Sequence, residues 1–503
     1  NGSTSPRSTR LQLSIAHSCE PADHNMEHDA DVAIVGCGPV GVMAALRCSQ
    51  RGLRVIALDN ETEVYPLPRA IGMDDEIQDL FARAGLIESL RDHSTPGRGG
   101  DFVDASGERV VGVDVSPDFV GVLGHPPMIM FDQPSVETFL RDAAVDAGVD
   151  LRLGVRATGL AANDLGVTLE LGDGTSLHSR WLIGADGAKS TVRDLIGVSL
   201  IDQEFDQNWL VVDTTLLDPD LALPPLARQH CDPKRVVTFV PGHGTRRRWE
   251  FQLKPEETRD QALEPGFLDA LLANWGRPDQ LQIDRVAAYR FHGVVADRFS
   301  NGPVFLAGDA AHQMPPFNGQ GMCSGMRDAE NLAWKLAAVA HGSAGPQLLD
   351  TYDEERRPHA ARQVAQSVDA GKLIDAIAHD GERALESGYG RRKFPRLEHG
   401  VVESGDHRLI GLPLPAPVDG SFTIGTSWTV LTGPGATTEL PELWTALGAA
   451  AHPIAASAFG DTFDPTTTVI VRPDRIVAAV TTDMSATTSR LAPLIVGESR
   501  VEY

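Results

Sequence analysis

Three glycine-bearing turns, each closing a short apolar run and each more than 100 residues from the next, constrain this chain more than any other feature. The first, Gly36-Cys37-Gly38-Pro39-Val40-Gly41, follows Val32 to Val35. The second, Gly184-Ala185-Asp186-Gly187, follows Trp181 to Ile183, and the third, Gly308-Asp309-Ala310-Ala311-His312, follows Val304 to Ala307. Buried runs that end in glycine turns and feed helices predict strands of a parallel α/β sheet, and three such turns make one site only if the fold gathers them.

In the first turn Gly36 permits the bend, Gly38 lets the backbone approach a pyrophosphate, and Gly41 lets the helix that begins at Pro39 and Val40 pack on the strand. Asp59 ends the next apolar run, 18 residues beyond Gly41, where an acid takes the ribose hydroxyls of an adenosine and repels a ribose phosphate. Asp186 belongs to the second turn, with Arg193 shortly beyond it. Asp309 closes the third strand with a carboxylate free to accept from a ribityl hydroxyl. The chain then passes Pro315, Pro316 and Phe317 to Gly319-Gln320-Gly321-Met322, which opens a helix with apolar positions Met326, Ala329, Ala333 and Leu336. Amides at that helix start would face the pyrimidine side of a flavin, where reduction places negative charge. The three elements together predict FAD held by a discontinuous domain.

Composition narrows the rest. A chain of 503 residues holds two or three structural units, and no apolar run is long enough to span a bilayer, so no membrane anchor is expected. With 44 basic against 69 acidic residues, a net charge of -25 disfavours nucleic acid and anionic lipid as partners. The five cysteines (Cys19, Cys37, Cys48, Cys231, Cys323) have neither C-x-x-C nor metal-ligand spacing; they read as small buried residues in a reduced cytoplasm, with no metal expected. Residues 1–28 lack the apolar core of a signal peptide and read as a disordered tail.

Strands and helices alternate over 29–200, the first part of the FAD-binding domain. Over 201–289 the alternation of Trp209–Thr215, Arg235–Val240 and Arg247–Leu253 predicts an inserted antiparallel sheet, with turns at Asp218-Pro219 and Pro241-Gly242-His243-Gly244. Residues 290–395 return to the FAD domain with linking helices and end near the basic loop Arg391-Arg392-Lys393. Over 396–503, Trp428–Leu431 and Thr468–Asp474 read as strands and Leu440–Ala451 as a helix. Every FAD element lies upstream of residue 396, so deleting 396–503 is expected to leave the flavin site intact.

The chain resembles the class A flavoprotein aromatic hydroxylases, and from about Asp29 to about Ala370 the 3-(3-hydroxyphenyl)propionate hydroxylase branch. The resemblance is carried by Pro68-Arg69-Ala70-Ile71-Gly72-Met73-Asp74-Asp75-Glu76, Gln133-Pro134, the two downstream turns, Gly325-Met326-Arg327-Asp328-Ala329, Asn331-Leu332-Ala333-Trp334-Lys335-Leu336, Leu348-Leu349-Asp350-Thr351-Tyr352 and Glu354-Glu355-Arg356-Arg357-Pro358. It implies an inserted sheet that roofs the flavin and a thioredoxin-like C-terminal domain. That domain has no cysteine here, so an oligomer contact or scaffold role is expected rather than thiol chemistry. It also implies NADH or NADPH as a transient donor, and a flavin C4a-hydroperoxide that delivers oxygen from O2 to a phenolic ring. The resemblance places Arg69 near the flavin and Gln133 against its ribityl or adenine side.

A phenol reacts far faster as phenolate, so a base or a relay near its hydroxyl is expected. Arg69, Pro315 and Phe317 are the candidates for tuning the flavin or lining its face. His125, His230, Trp249, Tyr289, His292 and Asn318 lie in segments that could face the substrate, and none is singled out as the base. His312 reads as structural support of the third turn. A polycyclic or polyketide phenol, with Baeyer-Villiger chemistry as an option, is the alternative substrate reading; a non-enzymatic flavin-binding module is the other.

Overall fold

The structure is a computed structural model that describes residues 28–387, 395–417, 425–454 and 464–497. The N-terminal 27 residues, with Cys19, and the basic segment Arg391–Lys393 lie outside it. Its centre is the strand Ala30–Val35, whose Ala30, Val32, Ala33 and Ile34 are fully buried. A strand covered on both faces has no use for a polar alternation, and this one has parallel neighbours on each side, Val55–Asp59 and Ser176–Gly184. Val304–Leu306 adds in parallel beyond Ser176–Gly184, and Asp150–Leu153 beyond Val55–Asp59. Register is the decisive fact: Val35 pairs with Gly184, and Gly184 with Leu306. The three glycine turns therefore leave the same sheet edge side by side.

The second sheet runs in the order His312–Gln313, Leu281–Ala296, Leu200–Leu216, Arg246–Gln252, Arg235–Pro241, Ala227–Asp232, Gly99–Asp104, Arg109–Asp114. It is wider than the 201–289 insertion. Its far edge strand, Ala227–Asp232, is completed by Gly99–Asp104 in parallel, and Leu281–Ala296 continues past residue 289 to pair with Gln313 and His312. Open strand edges carry unpaired N–H and C=O groups, which these additions satisfy. Leu210, Val212, Phe239, Trp249 and Phe251 form a core with Leu268 and Leu272 on one face of this sheet. The alternate residues face the first sheet, and their far end is closed by the long helix Thr351–Asp380 through Leu373, Ile374 and Ile377.

The C-terminal unit is a four-stranded sheet, Ala450–Pro453, Thr429–Thr432, Thr468–Val471, Val477–Thr481, with the helix Met484–Val496. The helix expected over Leu440–Ala451 is one turn, Glu442–Ala446. Gly448 at φ +71° leaves helical geometry, the Ala449 N–H bonds back to the Trp444 carbonyl, and the chain enters a strand instead. Cys37, Cys48 and Cys231 are buried, and desolvation pushes each thiol up to about 12, so they stay protonated as packing residues.

The C-terminal unit is not separable in the way the sequence suggests. Trp334, on the helix Gly321–Ala340, packs edge-on against Trp428, which packs on Trp444. Beside it Glu355 is ion-paired with Lys335 and Arg472, both at 2.9 Å and all three fully buried, while Arg472 also bonds Asp474. Burial would raise the Glu355 carboxyl, but Arg472 and then Lys335 outweigh it and hold the group at about 2. Removing residues 396–503 strands Lys335 and Glu355 without Arg472 and uncovers Trp334. The truncated chain is therefore expected to lose solubility and its flavin. Arg472→Ala, which leaves Glu355 and Asp474 buried with one cation fewer, should destabilise the protein by about 3–5 kcal/mol, read as a lower urea midpoint in tryptophan fluorescence.

Candidate active site

Where the two large sheets face each other lies a cavity of about 940 Å3, lined at one end by Gly36, Gly38 and Asp59 and at the other by Gln229, Thr238, Glu250 and Phe317. Its first wall is the glycine turn. Gly36 has φ +100°, and a Cβ there would lie 2.4 Å from the Ala185 carbonyl oxygen; one at Gly41 would lie 1.9 Å from that of Gly36. Both positions are closed to any side chain. Gly38 has nothing within 4 Å of its would-be Cβ, so the space in front of the helix Pro39–Ser49 is open. That helix has no capping side chain and no acid in its first turn, which leaves its N–H groups for an anion from outside the chain. Asp59 accepts from the Cys37 N–H at 2.6 Å and the Glu61 N–H at 2.9 Å, so the acid is braced against the glycine turn, with lone pairs to spare.

A stripe of buried polar residues on the helix Gln133–Asp146 supports this wall. Arg141 donates to the Cys37 carbonyl at 2.8 Å and to Glu137 at 3.0 Å, and Gln133 Nε2 donates to Glu137. Gln133 Oε1 accepts from the Arg69 and Ala70 N–H groups at 2.8 and 2.7 Å, so it holds a loop. The same loop is gripped from the other sheet. Arg248 donates to the Pro68 and Arg69 carbonyls at 2.6 and 2.7 Å, Arg285 donates to the Pro68 carbonyl at 2.9 Å, and both guanidinium groups rest on the buried Asp213. The Arg69 side chain thus enters the cavity from a backbone clamped on two sides, its guanidinium 5.4 Å from the Tyr65 ring centre.

In the second turn both oxygens of Asp186 are used, by Ser190 Oγ at 2.5 Å and the Val192 N–H at 3.1 Å, so this acid shapes the turn at the cavity wall. Asp309 differs. Its side chain opens on the cavity and bonds no other side chain or backbone group among the described residues. The cavity is itself sunk in protein, so desolvation raises this carboxyl, opposed by His312, Arg69 and His292. Behind it His312 Nε2 lies 2.7 Å from Asp328, which also accepts from the Gly308 N–H and from Arg356. His312 thereby stiffens the third turn. Gly319, Gln320, Gly321 and Met322 all line the cavity, and the buried Gln320 Nε2 has no partner among the described residues.

Several expected residues lie elsewhere. Pro315 is buried; the 3-10 turn Pro316–Asn318 carries Pro316, Phe317 and Asn318 into the cavity instead. Phe317 joins the cavity to a cluster of Phe205, Trp209 and Phe291. Trp249 points away, into the core with Phe239 and Trp275, because its neighbours on the strand, Arg248 and Glu250, take the cavity side. Tyr289 accepts from Arg285 outside the cavity, and His292 Nε2 is engaged with Gln313 at 2.7 Å. His230 stacks edge-on against Trp275, and burial lowers it to about 4; His125 also lies off the cavity wall. Arg248, Glu250, Arg141, Gln229 and Thr238 are among the cavity residues that the sequence did not single out. For Arg248 and Glu250 the only signal was their alternation with Trp249 and Phe251.

The residues fit FAD: an anion-ready helix start, a ribose acid, an unpartnered carboxylate at Asp309, an orphaned amide at Gln320 and one long cavity joining them. Residues 29–367 match the FAD binding domain. The chain belongs to that family. FAD is its cofactor. The flavoprotein is 38% identical over 417 residues to the 3-(3-hydroxy-phenyl)propionate/3-hydroxycinnamic acid hydroxylase of Mycobacterium avium, covering 76% of this chain and 70% of that one. It spans 60–62% of the length of several other mycobacterial counterparts. It is 32% identical to the probable NADH-specific resorcinol 4-hydroxylase of Rhodococcus jostii, over 80% of this chain and 78% of that one. In fold it is similar to aklavinone-11 hydroxylase in complex with FAD and aklavinone, with a TM-score of 0.80 and 23% identity over 93% of this chain and 99% of that one. Asp309→Ala should fold and purify with flavin bound at least about tenfold more weakly, measured from the absorbance of the isolated protein and by FAD titration, because a charge-accepting hydrogen bond is worth about 1.5–3 kcal/mol.

Proposed function

We propose that this flavoprotein hydroxylates a phenolic aromatic compound, consuming NADH or NADPH and O2. The observation that carries the reading is the single cavity running from the dinucleotide turns to a polar sheet face, since it sets an organic substrate beside the flavin position in a space sunk between the two large sheets. When bound, FAD supplies the redox and oxygen chemistry. The chain's part is to hold, orient and exclude water. Arg69, fixed through its own backbone, presents a cation to the region between Asp309 and the sheet. Phe317 and Pro316 offer a flat apolar wall for a ring, and the aromatic cluster behind Phe317 stops it yielding. Gln229, Thr238 and Glu250 face the ring's polar substituents.

The names of the mycobacterial relatives support a hydroxyphenylpropanoid-like substrate. The likeness to aklavinone-11 hydroxylase extends over nearly the whole chain, C-terminal unit included, and favours a polycyclic phenol as the second reading. The domain plan proposed with it is an FAD-binding domain over 29–200 and 290–395, a substrate sheet between them, and a thioredoxin-like unit without cysteines after 396.

The nicotinamide donor has no turn of its own beyond the three that serve FAD, so wasteful oxidation must be restrained by coupling ring binding to flavin reduction. Anaerobic stopped-flow reduction by NADH and by NADPH, over a panel of mono- and polycyclic phenols, should find one class that speeds reduction by about tenfold or more, equivalent to about 1.4 kcal/mol of barrier, and hydroxylated product should follow on admitting air. A panel that neither accelerates reduction nor yields product would refute the reading.

A further inference from the structure

The strand Arg246–Gln252 puts two charged residues on the cavity side, and only one of them is spoken for. Arg248 is committed to Asp213, Pro68 and Arg69. Glu250 is 5% exposed, lines the cavity, and has no hydrogen-bond partner among the described residues. In register beside it stands Thr238, whose hydroxyl donates to Gln229 Oε1 at 2.7 Å, so a polar row crosses three strands and ends on a carboxylate. Buried polar groups are ordinarily bonded, and a sunken carboxylate without a partner is costly unless a ligand brings one. Thr238 and Gln229 bond each other and Arg248 is committed, which leaves Glu250 as a charged acceptor on this face for an incoming donor.

We propose that Glu250 is the catalytic base that removes the hydroxyl proton of the phenolic substrate. The assignment rests on the hydroxylase reading above and names the group that reading left open. The phenol O–H bond breaks, its electron pair stays on the phenol oxygen, and a new O–H bond forms on a Glu250 carboxylate oxygen. Nothing is oxidised or reduced in this step. The resulting phenolate is the stronger ring nucleophile, and the proton returns to the oxygen of the product or leaves to water when the cavity opens.

The surroundings suit the task. Facing Glu250 are Arg248 on its own strand, Asp213 on Leu200–Leu216, Arg285 on Leu281–Ala296, Arg69 on the clamped loop, and the neutral Thr238 and Gln229 on the strands to the other side. Two guanidinium groups on one carboxylate leave one positive charge close by to stabilise a phenolate. Burial lifts the Glu250 carboxyl to about 7, with Arg248 opposing and Asp213 reinforcing the rise. A phenol ionises near 10 and an ordinary glutamate near 4.3, so the acidity gap shrinks from about six decades to about three.

The test uses the FAD-loaded protein. In the wild type, kcat/KM for a phenol should rise as pH increases through about 7 and Glu250 loses its proton. E250Q is the neutral isostere; because ionised Glu250 is disfavoured by burial, it should keep its flavin and melt no lower than wild type at pH 8. It should lose about a hundredfold in kcat/KM at pH 7, and its profile should follow the free phenol toward about 10. E250D should recover part of the loss. A nitro-substituted phenol, already ionised at neutral pH, should lose less than about threefold in E250Q, since its proton is gone before binding. An unchanged pH profile in E250Q, an equal loss with the pre-ionised phenol, or a wild type whose kcat/KM shows no rise near 7 would each overturn the assignment. A wild type that hydroxylates no phenol overturns the proposed function, while the pH dependence of phenol binding, which Glu250 should impose near 7 in the wild type and not in E250Q, still reads Glu250 separately.

Discussion

At Gly36 the backbone passes so close to Ala185 that a Cβ would sit 2.4 Å from its carbonyl oxygen. Everything at the flavin end of the cavity depends on that approach. It is possible because Ala30–Val35 and Ser176–Gly184 are parallel neighbours in register, and because the Ala185 N–H bonds the Val35 carbonyl at 2.8 Å just where the strands end. With Val304–Leu306 in register on the other side of Ser176–Gly184, three turns far apart in the chain become adjacent. The sheet thereby assembles one long binding site out of pieces that could each bind little alone.

A second constraint ties this site to the sheet opposite. The Pro68-Arg69 peptide accepts three hydrogen bonds from Arg248 and Arg285, and the two guanidinium groups stand on a single buried carboxylate, Asp213. Buried ions are worth having only when every valence is met, and here the backbone carbonyls meet what Asp213 cannot. The arrangement makes the cavity a joint property of both sheets. The two walls of the cavity keep a fixed spacing, which the proposed alignment of a ring with a cofactor requires.

The same logic runs outward to the C-terminal unit. Lys335, Glu355, Arg472 and Asp474 form a buried ionic cluster across the boundary, flanked by Trp334 and Trp428. The helix Gly321–Ala340 that presents Gly321 and Met322 to the cavity is therefore braced at its far side by residues more than a hundred positions later. A unit with no cavity residue among those described still holds one wall of the cavity in place.

The glycine turns, Asp59, Asp309 and the Gly319–Met322 helix start were legible in the sequence because local chemistry dictates them: a tight bend, an open approach and a strand-ending acid each demand particular residue types at particular spacing. Arg69 and Gln133 were legible as important, though not Gln133's use as the brace of the Arg69 loop. The sheet wall was not. Trp249 looks like a ring contact and Glu250 like a solvated acid until the strand is laid into the sheet, when alternation buries the tryptophan and turns the glutamate inward. The sequence by itself determined the mixed α/β fold, the cofactor and the glycine turns, since those are set by backbone geometry over a few residues. Only the tertiary structure decided which face of each strand meets the cavity, which buried charges are paired, and that Glu250, like Asp309, meets the cavity without a partner among the described residues. Such facts belong to register and to groups hundreds of residues apart, and no local pattern encodes them.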